Sequence, residues 1–273
     1  MSIWIAVALA ALALVLFWLA LRASARRQPR LPPLAPAAPR FPIVLVHGFG
    51  GFERIGRADY FRGIRDVLER SGAAVFAPRL PAVAGVAARA RALADAVREI
   101  CDETGLARVN LIAHSMGGLD SRYAVAKLGL DDHVASLVTV GTPHWGTPIA
   151  DAGEALGLSA LAAVAKKLGI DLAGVSWMTA NAAERFNREV ADAEGVYYAS
   201  VIGRAVDSRG AMRRFIEKRA GDNDGMVPVS SQRWGEIVAE VDADHWQQIG
   251  WSSGFDAAGL YAQLVGTLVE RGY

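Results

Sequence analysis

The stretch 109–118 (VNLIAHSMGG) constrains the fold of this chain more than any other. A short apolar run ends at Ala113-His114-Ser115-Met116-Gly117-Gly118, and helix-forming sequence follows at once. A serine between small residues at a sharp strand-to-helix turn is the signature of an exposed nucleophile. Ala113 and Gly117 let strand and helix approach without a clash. The helix start directs N–H groups and its positive end at whatever lies in front of the serine. The plainer alternative is a serine capping an ordinary helix, with a glycine pair behind it.

That turn sits in a repeating pattern. Apolar runs at 41–46, 73–77, 109–113, 134–140, 196–202 and 237–241 read as strands. Helical spacing marks 60–71, 83–104 (with Gly105 as the stop), 115–128 and 254–271. Short apolar strands alternating with helices predict an α/β domain with a doubly wound, mostly parallel sheet covered on both faces. The domain spans 41–273, enough chain for a full core.

The N-terminus is different. Residues 3–21 carry no charge, and as a helix they would span about 28 Å, close to a bilayer core. Arg22, Arg26, Arg27 and Arg30 follow. The long run, without preceding basic residues, predicts an uncleaved transmembrane anchor over 1–27 rather than a cleaved signal, although Ala23-Ser24-Ala25 offers a cleavage site. The arginines place the domain on the cytoplasmic face, as a single-pass membrane protein; a cleaved or inverted signal would export it. Five prolines in 28–40 (Pro29, Pro32, Pro33, Pro36, Pro39) predict a semi-rigid linker. A net charge of +1 leaves no basic field for nucleic acid. A single cysteine, Cys101, excludes an internal disulfide and any cysteine-rich metal cluster. No cofactor motif is present.

A serine needs a base to take its proton. In this architecture the order is serine, acid, histidine. His47 and His114 precede Ser115, and His133 and His144 come too early to follow an acid. His245 remains, just after the 237–241 strand. For the acid, the turn Gly221-Asp222-Asn223-Asp224-Gly225 before Val227-Pro228 favours Asp224, with Asp222 second; Asp-Asn-Asp-Gly is also an ordinary polar turn. Oxyanion donors are expected at the amide of Met116 and, from the loop His47-Gly48-Phe49-Gly50-Gly51, at that of Phe49. The loop lacks the lysine and spacing of a phosphate cradle.

Five segments in order, VLVHGFGGF, VNLIAHSMGG, GTPHWGTPIAD, NDGMVPVSS and a late histidine, resemble the bacterial triacylglycerol lipases of the α/β-hydrolase superfamily, more narrowly their Gram-negative true-lipase group. The resemblance covers roughly 41–245. It implies Ser115 as nucleophile, Asp224 as acid, His245 as base, and Phe49 and Met116 as oxyanion donors. It also implies a structural calcium near the base, held by an aspartate two residues after it. Gln247 stands there, so no calcium site is expected. The anchor is a second departure from these secreted enzymes.

Apolar segments in 149–179 occupy the place of the superfamily's lid, a helical insertion over an acyl pocket; ordinary core packing is the alternative. Trp145, Trp246 and Trp251 line a pocket or fill core. The expected function is a serine ester hydrolase acting on apolar or lipid acyl esters through an acyl-enzyme. Acyl transfer or thioester cleavage on lipid-linked substrates is the alternative within enzymes. A non-catalytic binding module is the alternative outside them, and an intact Ser-Asp-His set argues against it.

Overall fold

The structure, a computed structural model, describes residues 38–55, 58–167, 169, 171–206 and 210–273. The expected anchor (1–27) and nearly all of the linker (28–40) lie outside the described residues. Among the described residues no helix is long and apolar enough to cross a membrane.

In chain order the elements are β1 (Ile43–Val46), β2 (Arg54–Ile55), β3 (Ala58–Asp59), α1 (Ile64–Arg70), β4 (Val75–Phe76), α2 (Val86–Thr104) and β5 (Val109–His114). There follow α3 (Met116–Lys127), β6 (Val134–Val140), α4 (Pro148–Ala155), α5 (Leu158–Lys167), α6 (Ala180–Glu189), β7 (Tyr197–Gly203), α7 (Ala211–Ala220), β8 (Glu236–Val241) and α8 (Ala257–Glu270). Six strands form one sheet in the order β4-β1-β5-β6-β7-β8. Every pairing in it is parallel. The antiparallel exception is a separate hairpin of β2 with β3.

Both sheet faces are buried, which explains the unbroken apolar runs. Along β1, Ile43 and Leu45 join the core beneath α1 and α8, built on Ile64, Leu68, Leu260, Tyr261 and Leu264. Val44 and Val46 point the other way, into the core with Leu93 and Val97 of α2 and Val125 of α3. Large side chains here are wholly buried, each contributing roughly 1.5–3 kcal/mol. Helix α2 ends at Gly105, whose φ of 68° is the left-handed stop its sequence predicted.

The chain leaves β1 for β4 on one side and returns to β5 on the other. Strand order reverses there, so the loops after β1 and β5 diverge and open a crevice at their C-terminal ends. His47 and Gly48 lead one loop, and Ser115 stands at the other.

Between β6 and β7 the chain detours through α4, α5, a 3₁₀ turn (Val175–Met178) and α6. Thr147 caps α4 with Pro148 at its first turn, and Thr179 caps α6 through the Ala182 amide. Two short helices, 148–155 and 158–167, thus overlap 149–179. Part of this segment packs inward: Ala150 and Met178 share a third apolar cluster with Met116, Val86 and Phe186, flanked by Phe49, Val175 and Trp177. Leu156, by contrast, is 79% exposed.

Candidate active site

Ser115 has φ 56° and ψ −132°, and among the described residues it is the only non-glycine with positive φ. Such a backbone costs about 1–3 kcal/mol and persists because surrounding contacts fix it. Its N–H donates to Val140 at 2.9 Å, and its carbonyl accepts from the Gly118 amide at 3.1 Å and the Thr142 hydroxyl at 2.8 Å. Small residues allow the crossing: a Cβ on Gly117 would meet the Val46 carbonyl at 2.6 Å. Ser115 stands at the N-cap position of α3, but its side chain makes no capping hydrogen bond, unlike the serine of the plainer alternative.

His245 and Asp224 come together as expected, Nδ1 to Oδ2 at 2.8 Å, and the His245 amide donates to the Asp224 carbonyl at 2.9 Å. The carboxylate only accepts, so Nδ1 carries the proton and Nε2 is left to accept one. The other carboxylate oxygen, Oδ1, takes the amides of Met226 and Val227 at 2.9 and 2.7 Å. Asp222, the second candidate, is 60% exposed and pairs with Arg204. It takes no part.

The elbow histidine joins Ser115's neighbourhood to that of His245. The rings of His114 and His245 lie 4.4 Å apart, and His114 Nε2 donates to the His245 carbonyl at 3.1 Å. A carbonyl cannot donate, so Nδ1 of His114 is the acceptor and takes the Tyr60 hydroxyl proton at 2.8 Å. The Tyr60 oxygen in turn accepts the Gly48 amide at 3.1 Å. One relay of fixed polarity therefore ties the glycine loop, the elbow and the histidine loop. Burial, reinforced by the neighbouring His245, holds the His114 imidazole well below the ordinary histidine range.

The two expected oxyanion donors share one feature. Each follows a carbonyl that is held from behind. The Gly48 carbonyl accepts from His47 Nδ1 at 2.9 Å, from Arg89 at 3.2 Å and from the Gly51 amide at 3.2 Å. The Ser115 carbonyl is held by Thr142 and Gly118. In a planar trans peptide the N–H points away from the C=O. The amides of Phe49 and Met116 are thereby turned the opposite way, and among the described residues neither has an acceptor.

Three remaining histidines have structural partners. His47 Nε2 accepts the Leu80 amide at 3.1 Å. His144 is buried between Thr139 and Arg122, and His133 bonds the Ala107 carbonyl. Trp251 fills core, donating to the Tyr60 carbonyl, whereas Trp145 is half exposed beside Trp234. Composition and motif gave no signal for Tyr60, Arg89 or Gln248. Their roles appear only when distant segments meet.

A side-chain amide ties the loop after the base at the position where the resemblance implies a calcium ligand. Gln247 Oε1 accepts the Asp244 amide at 2.7 Å, and its Nε2 donates to the Ser253 carbonyl at 2.8 Å. Asp244 Oδ1 is engaged by the Trp246 and Gln247 amides. Calcium is bound by carboxylate, carbonyl and water oxygens, and among the described residues no group of three or more His, Cys, Asp or Glu could hold a metal.

The fold and this crevice define a class, the α/β hydrolases, and residues 42–162 match the family described as alpha/beta hydrolase fold. The triacylglycerol lipase of Pseudomonas fragi is 30% identical over 259 residues, covering 77% of this chain and 88% of that one. A triacylglycerol lipase of Vibrio cholerae is 40% identical over 112 residues, 41% of this chain and 35% of the relative. Among solved structures, the mature Bacillus licheniformis lipase matches with TM-score 0.69 and 22% identity over 88% of this chain and 96% of that chain. Staphylococcus hyicus lipase gives 0.64 and 17%, over 89% and 98%. At those identities the structures share the fold alone. The chain belongs to the bacterial lipase-like α/β hydrolases, and it is a carboxylic ester hydrolase.

Proposed function

We propose that the chain hydrolyses esters of apolar acyl groups through Ser115, His245 and Asp224. The observation that carries this reading is the His245–Asp224 pair at 2.8 Å, with the His245 ring 4.4 Å from that of His114, which directly precedes the strained Ser115. Ser115 Oγ attacks the acyl carbonyl carbon while His245 Nε2 takes its proton. The oxyanion lies against the turned amides of Phe49 and Met116. The tetrahedral intermediate collapses, the alcohol leaves with the proton from His245, and the acyl group stays on Ser115. Water then attacks the ester, giving its proton to His245, and the acid departs as Ser115 regains a proton. Asp224 orients the imidazole and stabilises its cation throughout.

The apolar cluster of Phe49, Met116, Val175 and Met178 supports an acyl chain as the recognised part. The 149–179 segment acts as a lid that opens at a lipid surface, and the exposed Leu156 supports that reading. Residues 3–21 anchor the domain, with the cytoplasmic face supported by the arginines that follow. No calcium is required.

The test uses the full chain in detergent against p-nitrophenyl esters of increasing acyl length. Activity that is lost in Ser115→Ala and unchanged by chelator is the expected result, with the optimum chain length reporting the pocket. An inert wild type, folded and matched by an equally inert Ser115→Ala, overturns it. A reporter fused after Tyr273 that is active only in the cytosol tests the orientation, and its silence rejects it.

A further inference from the structure

The Asp224 carboxylate takes a fourth donor that the serine–histidine–aspartate scheme does not require. Gln248 Nε2 lies 3.1 Å from Asp224 Oδ2, the oxygen that faces His245, and 3.4 Å from the Ala243 carbonyl. Both neighbours are acceptors, which fixes the amide's orientation with its nitrogen toward them. Gln248 is fully buried. The fold makes room for it at two glycines. A Cβ on Gly203 would come 2.7 Å from Gln248 Cδ, and one on Gly141 would overlap the Gln248 oxygen and stand 3.1 Å from Asp224 Oδ2. Its neighbour Gln247 works from the outer side, clasping the Asp244 amide and the Ser253 carbonyl across the loop.

We propose that Gln247 and Gln248 are positioning residues, a brace of two side-chain amides that holds the His245 loop in register with Asp224. The inference rests on the Ser115–His245–Asp224 reading. Gln248 fixes the oxygen that aims the imidazole, so its donor acts on the chemical step and not on substrate binding. Gln247 closes the loop with two neutral hydrogen bonds and brings no charge of its own.

Kinetics of the full chain test this. Gln248→Met keeps length and loses the donor, and kcat should fall about 10–100-fold with KM unchanged, the effect of losing a hydrogen bond to a charged group. Gln248→Glu adds a diagnostic. Its protonated acid donates to Asp224, whereas its carboxylate repels it, so its rate relative to wild type should fall as pH rises. A purely structural filler would give a flat ratio. Urea midpoints confirm that each variant is folded. If Gln248→Met does not fold, Gln247→Leu serves in its place, with a fall in kcat that calcium chloride does not restore. A kcat within about twofold of wild type in the folded Gln248→Met, or a flat Gln248→Glu ratio, overturns the brace. So does wild-type activity abolished by EDTA and restored by calcium chloride. Asp224→Asn and His245→Ala separate the two readings: if they retain activity the triad fails, and if they are inert while Gln248→Met is not, only the brace fails.

Discussion

Arg89 and Asp120 form an ion pair at 2.7 Å with neither side chain exposed to solvent. Arg89 comes from α2 and Asp120 from α3, the helix that starts at the nucleophile. The rest of the guanidinium binds backbone: Nη2 reaches the His47 carbonyl at 2.7 Å and the Gly48 carbonyl at 3.2 Å, and Nη1 reaches Pro81 at 2.8 Å. One buried cation therefore fastens the glycine loop to the nucleophile helix. Burial pushes the Asp120 carboxyl up to about 7, against the opposing pull of Arg89.

Removing this cation should harm both fold and rate. Arg89→Met leaves a buried carboxylate and several carbonyls without a donor, and should cost about 3–5 kcal/mol in urea unfolding. Arg89→Met combined with Asp120→Leu should recover much of that stability, because the buried carboxyl left without its donor is gone. It should not recover kcat, because the Gly48 carbonyl still lacks its guanidinium and the Phe49 amide is less firmly aimed. Full recovery of kcat in the double variant would reduce the pair to a stabilising role.

Stability should fall on the acid side for a definite reason. Burial pushes His47 down to about 4, with its bond to Gly48 opposing and Arg89 adding to the shift. His114 and His144 are also held well below the ordinary histidine range, each chiefly by burial. Between about 4 and 6.5 the unfolded chain binds protons that the folded chain refuses, so this stability is complete above 6.5 and is lost as pH falls. At about 1.4 kcal/mol per pH unit, His47 alone accounts for about 3 kcal/mol across that window. Urea unfolding of His47→Gln at pH 7 and pH 4.5 should show a shallower acid loss than wild type. An unchanged slope would mean that His47 takes up its proton in the folded state.

Much of this molecule was legible in the sequence because strong local signals coincide with tertiary demands. The apolar run 134–140 is a strand over those residues, since a sheet buried on both faces demands continuous apolarity. The sharp turn at Ser115 and the pairing of Asp224 with His245 were legible because turn chemistry and chain order leave few choices. Helix α7 was not. Its sequence AMRRFIEKRA buries only Ile216, so no apolar stripe announces it. That helix intervenes between β7 and the Asp224 turn. The β2–β3 hairpin, two residues a side, is too short for any periodicity. Tyr60, Arg89 and Gln248 were illegible for another reason: each acts on a partner at least 24 residues away along the chain, through a contact that only the closed fold creates.

The Ser115 backbone gives the sharpest separation of strain from chemistry. Its φ of 56° and ψ of −132° suit glycine, which has no Cβ to clash, and penalise every other residue. Alanine at this position keeps the Cβ and keeps the strain. Glycine removes both. Ser115→Gly should therefore be more stable than Ser115→Ala by about 1–2 kcal/mol in urea unfolding, with both variants inactive. The usual ranking runs the other way, because glycine gains more freedom on unfolding and loses roughly 0.5–1 kcal/mol against alanine in a regular element. A reversed ranking at this residue alone would show that the fold holds the nucleophile in a conformation it would not otherwise adopt, positioned by the Thr142 and Gly118 bonds to its carbonyl. Equal stability of the two variants would place the elbow among unstrained turns and remove preorganisation from its account.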